Sequence, residues 1–451
     1  MIMPHDADDR YLPGLNIQQQ YIEEYLVNYC KQEDLIEIRW GQKVLAVSQT
    51  EASVTLRVDT PEGEYDLIAD WVVAADGGRS TIRKLMQLRM EGRSYPGNFV
   101  IADIKTKINL PTERLCFFDP AWNPGNNVLV HRQPDDLWRI DFRLPDGETA
   151  ERALEPELLH ERINAVLEMI NQRNDWQLDW ATVYSANTLT LAEFVHGRVL
   201  LTGDAAHLLP IFGVRGVNTG FQDCNDLAWK LAFVVNGWAR PLILQSYTQE
   251  RVQAAREICE EGGKSTRFMT PPSRGTRLLR DAVLSFSLSE DFPKDLLHWR
   301  TSRPHDYHNS PLNSFPDADR KFDGGVALGQ PLRNVKLGVN DYLLDRIGSR
   351  AGFHLMAFVG ESGLTANLRE ILAASKNEPF PVFGVVVGAS APAAAGVADV
   401  IITDEEGRVS GKYEGAPGTL YLVRPDLHVC ARWRQPTAEQ VTQALRRAVA
   451  H

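Results

Sequence analysis

The chain has 451 residues, enough for two or three domains, and its 43% hydrophobic and 24% charged residues are ordinary for a soluble globular protein. A net charge of −11, without a dense block of lysine and arginine, disfavours nucleic acid and anionic membranes as partners. No apolar run reaches the roughly 18 residues needed to span a bilayer, and the five scattered cysteines include no CxxC pair, so we expect a cytoplasmic protein without a disulfide framework or a metal site.

The first ninety residues combine one helix-like segment with several strand-like runs. Residues 17–33 place apolar side chains at helical spacing, and residues 36–49 and 53–76 read as strands with a hairpin turn at the sequence TPEGE. The last part of this region, WVVAAD, predicts a buried strand. Ser80 is then expected to cap the helix that follows.

The pattern changes between about residues 92 and 190, where antiparallel strands surround one helix-like segment and predict a separate sheet. His131, Trp138 and Arg139 are candidates for a pocket on this sheet. A strand alternates its faces at every residue, so the sequence leaves their orientation open. Helices follow to about residue 265, then helical pieces and a linker to about 335, and the rest predicts a compact α/β unit.

The stretch RVLLTGDAAH ends a strand-like run in Gly203 and Asp204. In open α/β sheets ligands bind at the carboxyl ends of the strands, where an aspartate can accept hydrogen bonds from a polyol. The alternative is a strand–loop–helix corner in which Asp204 is only a cap. The spaced glycines and the helix-like sequence that follow favour a ligand.

The glycine-rich segment after Asp204 leaves room for a flat ring. Gly213 and Gly216 lack side chains, and Gly216, Val217 and Asn218 open a predicted helix. The start of a helix offers unpaired N–H groups and the positive end of its dipole. Such a site suits a ring carbonyl or an anionic ring nitrogen.

A second strand end carries Asp76 and Gly77, followed by Arg79 and Arg83 four residues apart. Two arginines at this spacing can share a helix face. Asp76 could act with Gly77 and Arg83 near a dinucleotide. Alternatively, Asp76 and Arg79 form a structural ion pair at a strand–helix corner.

These two motifs together resemble those of the FAD-dependent aromatic hydroxylases, the single-component class A flavoprotein monooxygenases. AADGGRSTIRK is similar to their Asp-Gly motif, and GRVLLTGDAAHLLPIFGVRGVNTGFQDCNDLAWKL to their Gly-Asp flavin motif, with the match continuing into SYTQERVQAA. NIQQQYIEEYLV resembles the segment that holds a flavin-contacting glutamine. LVRPDLHVCARW resembles the thioredoxin-like domain of the phenol, resorcinol and hydroxyphenylpropionate hydroxylase branch.

The resemblance implies an α/β (α+β) fold built from a Rossmann-like FAD-binding domain, an inserted antiparallel sheet and a thioredoxin-like domain. The expected boundaries are an FAD-binding domain at 1–91 and 191–265, incomplete at its N-terminus, a substrate-binding sheet domain at 92–190, a helical segment and linker at 266–335, and the thioredoxin-like domain at 336–451.

Roles for individual residues follow from the same resemblance. Gly203 and Asp204 would bind the ribityl chain of FAD, and Gly216, Val217 and Asn218 the isoalloxazine carbonyl and N1. Pro210 would lie beside the reactive face of the flavin as the one catalytic candidate. Asp76, Gly77 and Arg83 would contact FAD or the nicotinamide cofactor. Gln19 would contact the flavin, with Gln18 or Gln20 as alternatives, and His207 would be structural.

The sequence departs from the family pattern in three places. It contains no GxGxxG turn for the ADP pyrophosphate, so we expect a whole βαβ unit to be missing from the start. Pro210-Ile211 stands where many relatives have two prolines. The thioredoxin-like part lacks CxxC, which argues for packing or dimerisation rather than dithiol chemistry and makes a homodimer one expected state.

The resemblance implies that NAD(P)H reduces FAD, that O2 then forms a flavin C4a-hydroperoxide, and that this species hydroxylates a phenol next to its hydroxyl group. Two alternatives stay open. The chain could be a truncated, flavin-free remnant without activity, or a flavin oxidoreductase with a reaction other than hydroxylation. The identity of the aromatic substrate and the choice between NADH and NADPH stay open as well.

Overall fold

The computed structural model describes residues 6–12, 14–210, 212, 215–296, 304–389 and 396–450. The helices in these residues are α1 Gln19–Cys30, α2 Thr81–Leu85, α3 Ala150–Ala153, α4 Pro156–Met169, α5 Gly216–Val235, α6 Leu244–Met269, α7 Arg274–Phe286, α8 Pro316–Asp319, α9 Leu343–Gly348, α10 Ala366–Ser375, α11 Arg408–Tyr413 and α12 Ala438–Ala448. Short 3-10 helices cover Gly203–Ala205, Pro241–Ile243 and Phe292–Leu296.

The strands are β1 Lys43–Gln49, β2 Val54–Thr60, β3 Gly63–Ala69, β4 Val72–Ala74, β5 Glu91–Lys105, β6 Arg114–Phe118, β7 Asn127–Arg132, β8 Leu137–Arg143, β9 Gln177–Thr190, β10 Val195–His196, β11 Val199–Leu201, β12 His207–Leu208, β13 Lys336–Gly338, β14 Asp341–Tyr342, β15 Phe353–Phe358, β16 Val382–Gly388, β17 Val400–Thr403, β18 Leu420–Val423 and β19 Val429–Trp433. Helices and strands both occur throughout the described residues, which confirms the α/β class expected from the sequence.

The N-terminal region contains α1 and a three-stranded antiparallel meander. The sheet order is β1-β2-β3, and the turn between β2 and β3 is the one expected from the sequence. β1 begins at Lys43, later than the expected start near residue 36. The helix expected over 17–33 is present as α1, but none of its residues is buried.

A small sheet of order β10-β11-β4 positions the site, because β4 and β11 run parallel and side by side. The sequence predicts a fully buried strand at β4, which is only partly correct. Ala74 is buried, whereas Val73 is 42% exposed. β4 is the edge strand of this sheet among the described residues, so no neighbouring strand shields its outer edge.

The six-stranded antiparallel sheet has the order β12-β9-β5-β8-β7-β6. One of its faces packs on α4, through the apolar residues Val100, Ala102, Ile104, Val128, Val130, Trp138, Ile140, Phe142, Leu159, Ile163 and Val166. Trp138 therefore belongs to the core. Since neighbouring residues of a strand point to opposite faces, Arg139 lies on the other side of the sheet.

The C-terminal sheet has the order β17-β16-β15-β18-β19, with β15, β16 and β17 parallel and β18 and β19 antiparallel to them. Its Phe353 contacts Trp229 and Phe233 of α5, with ring centroids 5.8 Å apart in each pair. Helix α5 thus forms one continuous core with the C-terminal sheet.

No helix among the described residues is both long enough and apolar enough to cross a bilayer.

Candidate functional site

The two strand ends that carry the candidate motifs lie next to each other. β4 and β11 pair in parallel with Ala74 opposite Leu201, and the amide of Thr202 donates a hydrogen bond of 3.1 Å to the Ala74 carbonyl. Parallel neighbours end at the same edge of a sheet. The turns that hold Asp76 and Asp204 therefore leave this edge side by side.

Arg83 joins the two turns. Its Nη1 donates to the carbonyl oxygens of Ala205 at 2.9 Å and Asp204 at 3.4 Å, and its Nη2 donates to that of Gly78 at 2.6 Å. Burial lowers the pKa of Arg83, and the charges of Asp76 and Asp204 act in the opposite direction. A guanidinium with five donors in a rigid fork is suited to hold three carbonyl groups in one geometry.

Asp76 does not form the ion pair with Arg79 that was one reading of the sequence. Its Oδ2 accepts a hydrogen bond of 3.0 Å from the amide of Ile82 at the start of α2. Ser80 caps the same helix, because its Oγ accepts from the amide of Arg83 at 2.9 Å, as the sequence predicts. Both contacts fix the helix turn from which Arg83 extends.

Asp204 is exposed, and no described residue donates a hydrogen bond to its carboxylate. Burial raises the pKa of Asp204, against the effects of His207 and Arg83. Gly203 and Gly77 adopt positive φ values of 55° and 79°, which favour glycine. A Cβ built on either glycine would meet no atom within 4 Å, so the space in front of both turns is open.

Asp223 of α5 fixes the Gly203 turn from behind. Its Oδ2 accepts from the Gly203 amide at 3.1 Å and lies 2.7 Å from Nε2 of His207, while its Oδ1 accepts from Arg251 Nε at 2.6 Å. Burial would raise the pKa of Asp223, but Arg251 and His207 outweigh it and hold that pKa below its ordinary value. His207 is fully buried, in agreement with the structural role expected for it.

Sequence reasoning gave no role to Asp223 or Arg251, although both lie in the segments that carried the family resemblance. Arg251 also donates to the hydroxyl of Tyr307 at 2.8 Å. The signal that could have found them is a charged residue inside an otherwise apolar helix face, since such a residue needs a buried partner.

The start of α5 lies against the Gly203 turn. A Cβ on Gly220 would be 3.7 Å from the Gly203 Cα, and α5 begins at Gly216 without a side-chain cap from Arg215. Val217 and Asn218 are exposed in the first turn. Gly213 and Ile211, named in the sequence analysis, lie outside the described residues.

Pro210 is buried against α6. A Cβ on Gly262 would lie 2.1 Å from Pro210 Cγ, so the helix approaches Pro210 closely only because this position is glycine. Gln19 is exposed, and its amide donates to Glu23 at 2.6 Å. Gln18 is buried, and its Oε1 has no partner among the described residues. Of the glutamines considered, Gln18 is thus the one that burial leaves in need of a ligand.

The chain is similar to proteins of known function. Residues 4–261 match the family model described as FAD binding domain. The 3-(3-hydroxy-phenyl)propionate/3-hydroxycinnamic acid hydroxylases of Klebsiella pneumoniae and Escherichia coli K12 are each 34% identical over 252 residues, which are 54% of this chain and 43% of theirs. The chain therefore spans less than half the length of these curated relatives.

Solved structures share the fold. The flavin-dependent monooxygenase PieE, in complex with FAD and substrate, has a TM-score of 0.78 at 19% identity, with 96% of this chain and 80% of that chain covered. Aklavinone-11 hydroxylase, with FAD and aklavinone, has a TM-score of 0.73 at 23% identity, with 96% and 78% covered. At these identities the likeness establishes the architecture.

Proposed function

The chain belongs to the FAD binding domain family, whose model matches 4–261 of its 451 residues, and we propose that it is an FAD-dependent monooxygenase that hydroxylates an aromatic substrate with NAD(P)H and O2. The family match and the curated hydroxylases confirm the resemblance to class A flavoprotein hydroxylases that the sequence motifs carried.

One observation carries the proposal: two strand-end turns meet around Arg83 and present a carboxylate, Asp204, to which no described residue donates a hydrogen bond. An ionised carboxylate is an acceptor with several free lone pairs, so Asp204 can accept hydrogen bonds from a ligand that enters this open space. The ribityl hydroxyls of FAD are suitable donors, and the open space in front of Gly77, Gly203 and Gly216 gives them room. The turns of Asp76 and Asp204, with Arg83 between them and the start of α5 beside them, therefore fit FAD. Together they form the cofactor corner.

In this proposal Asp204 accepts hydrogen bonds from the ribityl chain, and Gly203 allows the cofactor to approach the backbone. The first amides of α5, at Gly216, Val217 and Asn218, stabilise the isoalloxazine carbonyl and N1 with the positive end of the helix dipole. When bound, FAD would accept hydride from NAD(P)H and activate O2, which is chemistry that protein side chains do not supply.

Asp76, Gly77 and Arg83 are proposed to contact FAD or the docking nicotinamide cofactor, and Pro210 to lie beside the reactive face of the flavin. Gln19 remains the proposed glutamine, with the buried Gln18 as its alternative. The sequence contains no GxGxxG turn, so we assign no residue to the ADP half.

We propose that the aromatic substrate lies between this corner and the six-stranded sheet. The division into an FAD-binding domain at 1–91 and 191–265, a sheet domain at 92–190, a linker at 266–335 and a thioredoxin-like domain at 336–451 is proposed with it. All five cysteines are free, which supports a reducing, cytoplasmic compartment. The homodimer stays a prediction for size-exclusion chromatography with light scattering.

Titration of the purified chain with FAD tests the proposal, with flavin absorbance and quenching of flavin fluorescence as readouts. We expect stoichiometric uptake, and an affinity about tenfold or more weaker for Asp204→Ala, because a hydrogen bond to a charged group contributes roughly 1.5–3 kcal/mol. Asp66→Ala, on the exposed face of β3, is the control and should bind FAD as the wild type does.

Phenol-stimulated NAD(P)H oxidation, with product masses determined by mass spectrometry, completes the test. A colourless chain that takes up no FAD would favour the flavin-free alternative. Oxidation of NAD(P)H coupled to an organic product without an added oxygen atom would favour the oxidoreductase alternative.

A further inference from the structure

The six-stranded sheet turns one face toward the cofactor corner. The face opposite α4 carries Phe99 of β5 and Leu129 of β7, which cluster with Phe212 from the loop after Asp204. The rings of Phe99 and Phe212 lie edge to face with centroids 5.6 Å apart. Residues that share this face with Phe99 and Leu129 therefore point toward the cofactor corner.

Strand register places Asp141, His131, Arg139 and Asp103 on this face. Leu129 pairs with Asp141, and in the adjacent row His131 pairs with Arg139, which pairs with Asp103. Directly paired residues of antiparallel strands lie on the same face. Asp103 and Arg139 satisfy each other through two hydrogen bonds of 2.8 Å.

Asp141 and His131 are buried without such a partner. Each is 8% exposed. The Oδ1 of Asp141 and the Nδ1 of His131 have no hydrogen-bond partner among the described residues. An unsatisfied buried polar group is costly and calls for an explanation such as a water or a ligand. Asp141 and His131 both lie on the face that points toward the cofactor corner. We therefore expect a polar group of the substrate to bind there.

The charged and titratable groups that face Asp141 come from all the neighbouring strands: Arg114 of β6, His131 of β7, Arg139 of β8 and Asp103 of β5. Burial, with a smaller effect of the Asp103 charge, raises the pKa of Asp141 to about 7 against the lowering effects of Arg114 and Arg139. Burial, together with Arg114 and Arg139, lowers the pKa of His131 to about 3, so this imidazole is neutral.

We propose that Asp141 is a catalytic base that takes the hydroxyl proton of a phenolic substrate, with the neutral His131 as the second hydrogen-bond partner of that oxygen. The proposal rests on the proposed hydroxylase function. The phenol O–H bond breaks, an O–H bond forms on the Asp141 carboxylate, and the electron pair stays on the phenol oxygen, where it enriches the ring. A base that titrates near the working pH suits this transfer better than an ordinary carboxylate does.

Binding of 3-(3-hydroxyphenyl)propionate, measured by calorimetry from about pH 5 to about pH 9 with and without FAD, tests the proposal. In the wild type we expect the affinity to rise as pH passes about 7, where Asp141 loses its proton. In Asp141→Asn the rise disappears, and binding at high pH is about tenfold or more weaker. The methyl ether of the same ligand, which has no proton to give, is the control and should bind both proteins alike.

Asp103→Asn is the second variant, because removal of the Asp103 charge lowers the pKa of Asp141 and should move the rise in affinity to lower pH. A phenol that binds wild type and Asp141→Asn alike at every pH, or that does not bind at all, overturns the inference. Asp141-dependent phenol binding by a chain that takes up no FAD supports the inference and contradicts the proposed function. The two proposals can therefore fail separately.

Discussion

Each of the two proposals depends on one carboxyl group. Asp204 stands at a strand end and Asp141 within a strand, and burial raises the pKa of both. Asp204 is exposed at a turn, where it suits a polyol, whereas Asp141 is buried on one face of the sheet, where it suits proton transfer. The environment, rather than the residue type, separates the two roles.

Asp141 should lower stability at neutral pH. Its pKa is about 7 in the folded protein against an ordinary 3.8, so its contribution to stability is fully present below pH 3.8 and is lost as pH rises through 7. The difference corresponds to at most about 4 kcal/mol. We expect Asp141→Asn to match the wild type near pH 4 and to be more stable near pH 8 in urea unfolding. A stability difference that does not grow with pH would contradict this assignment.

The sequence flags Asp204 because glycines and a helix start surround it, and no comparable local signal marks Asp141. Asp141 lies in LWRIDFR, where side chains alternate between two faces. Which face is the core depends on α4 and on Phe212, and both are distant in sequence. Sequence reasoning therefore left the orientation of His131, Trp138 and Arg139 open, and only the register resolves it.

Among the secondary-structure elements, the short helix α2 connects the two turns. This helix of five residues carries Arg83, which joins both turns, and it is held at its start by Ser80 and Asp76. Its cap and the strand–turn–helix order were predicted from sequence. The contacts of Arg83 with backbone carbonyl groups 121 and 122 residues away were not, because they depend on the pairing of β4 with β11.

Ser80→Ala should lower both stability and FAD affinity. Loss of an N-cap hydrogen bond costs about 1 kcal/mol, and a loosened α2 would no longer hold Arg83 between the turns. Ser273→Ala removes the corresponding cap of α7, where the Ser273 Oγ accepts from Thr276. We expect a similar fall in melting temperature for both variants and a weaker FAD affinity only for Ser80→Ala. Equal FAD affinities in the two variants would show that α2 does not position the site.

At the scale of the whole molecule, a buried network of charges connects α5 and α6 to the C-terminal sheet. Lys230 Nζ lies 2.6 Å from both Asp226 and Glu250, and Arg424 Nη1 lies 2.6 Å from Glu250 and also pairs with Asp426. Burial raises the pKa of Asp226 well above its ordinary value, whereas Arg424 and Lys230 lower that of Glu250 against the effect of burial. Burial thus favours the neutral form of Asp226, and the other four groups of the network are two cations and two anions.

The network predicts that replacing a carboxyl group by an amide is tolerated at Asp226 but not at Glu250. Burial favours the protonated form of Asp226, so Asp226→Asn should be the milder change and alter the free energy of unfolding by less than about 1 kcal/mol. Glu250→Gln leaves a buried positive charge without its partner and should cost roughly 3–5 kcal/mol. Urea unfolding of both variants measures the difference. Equal losses would mean that Asp226 is ionised.

Sequence patterns identified the C-terminal unit but not this connection. Arg424 and Glu250 are 174 residues apart, and nothing near either residue indicates its partner. The segment LVRPDLHVCARW places charged residues in an apolar strand pair, and charged residues in such a position need buried partners. Which partners they find is fixed only when α5 and α6 pack on the sheet.

The shared charges also limit recombination between homologues. A chimera that takes its last hundred residues from a homologue inherits one donor and one acceptor of the network, the counterparts of Arg424 and Asp426. These groups must then find Asp226, Lys230 and Glu250 on the recipient helices. A crossover that separates these groups would leave unpaired charges buried between the helices and the C-terminal sheet. Crossover libraries of such homologues should therefore treat the two helices and the terminal hairpin as one inherited block.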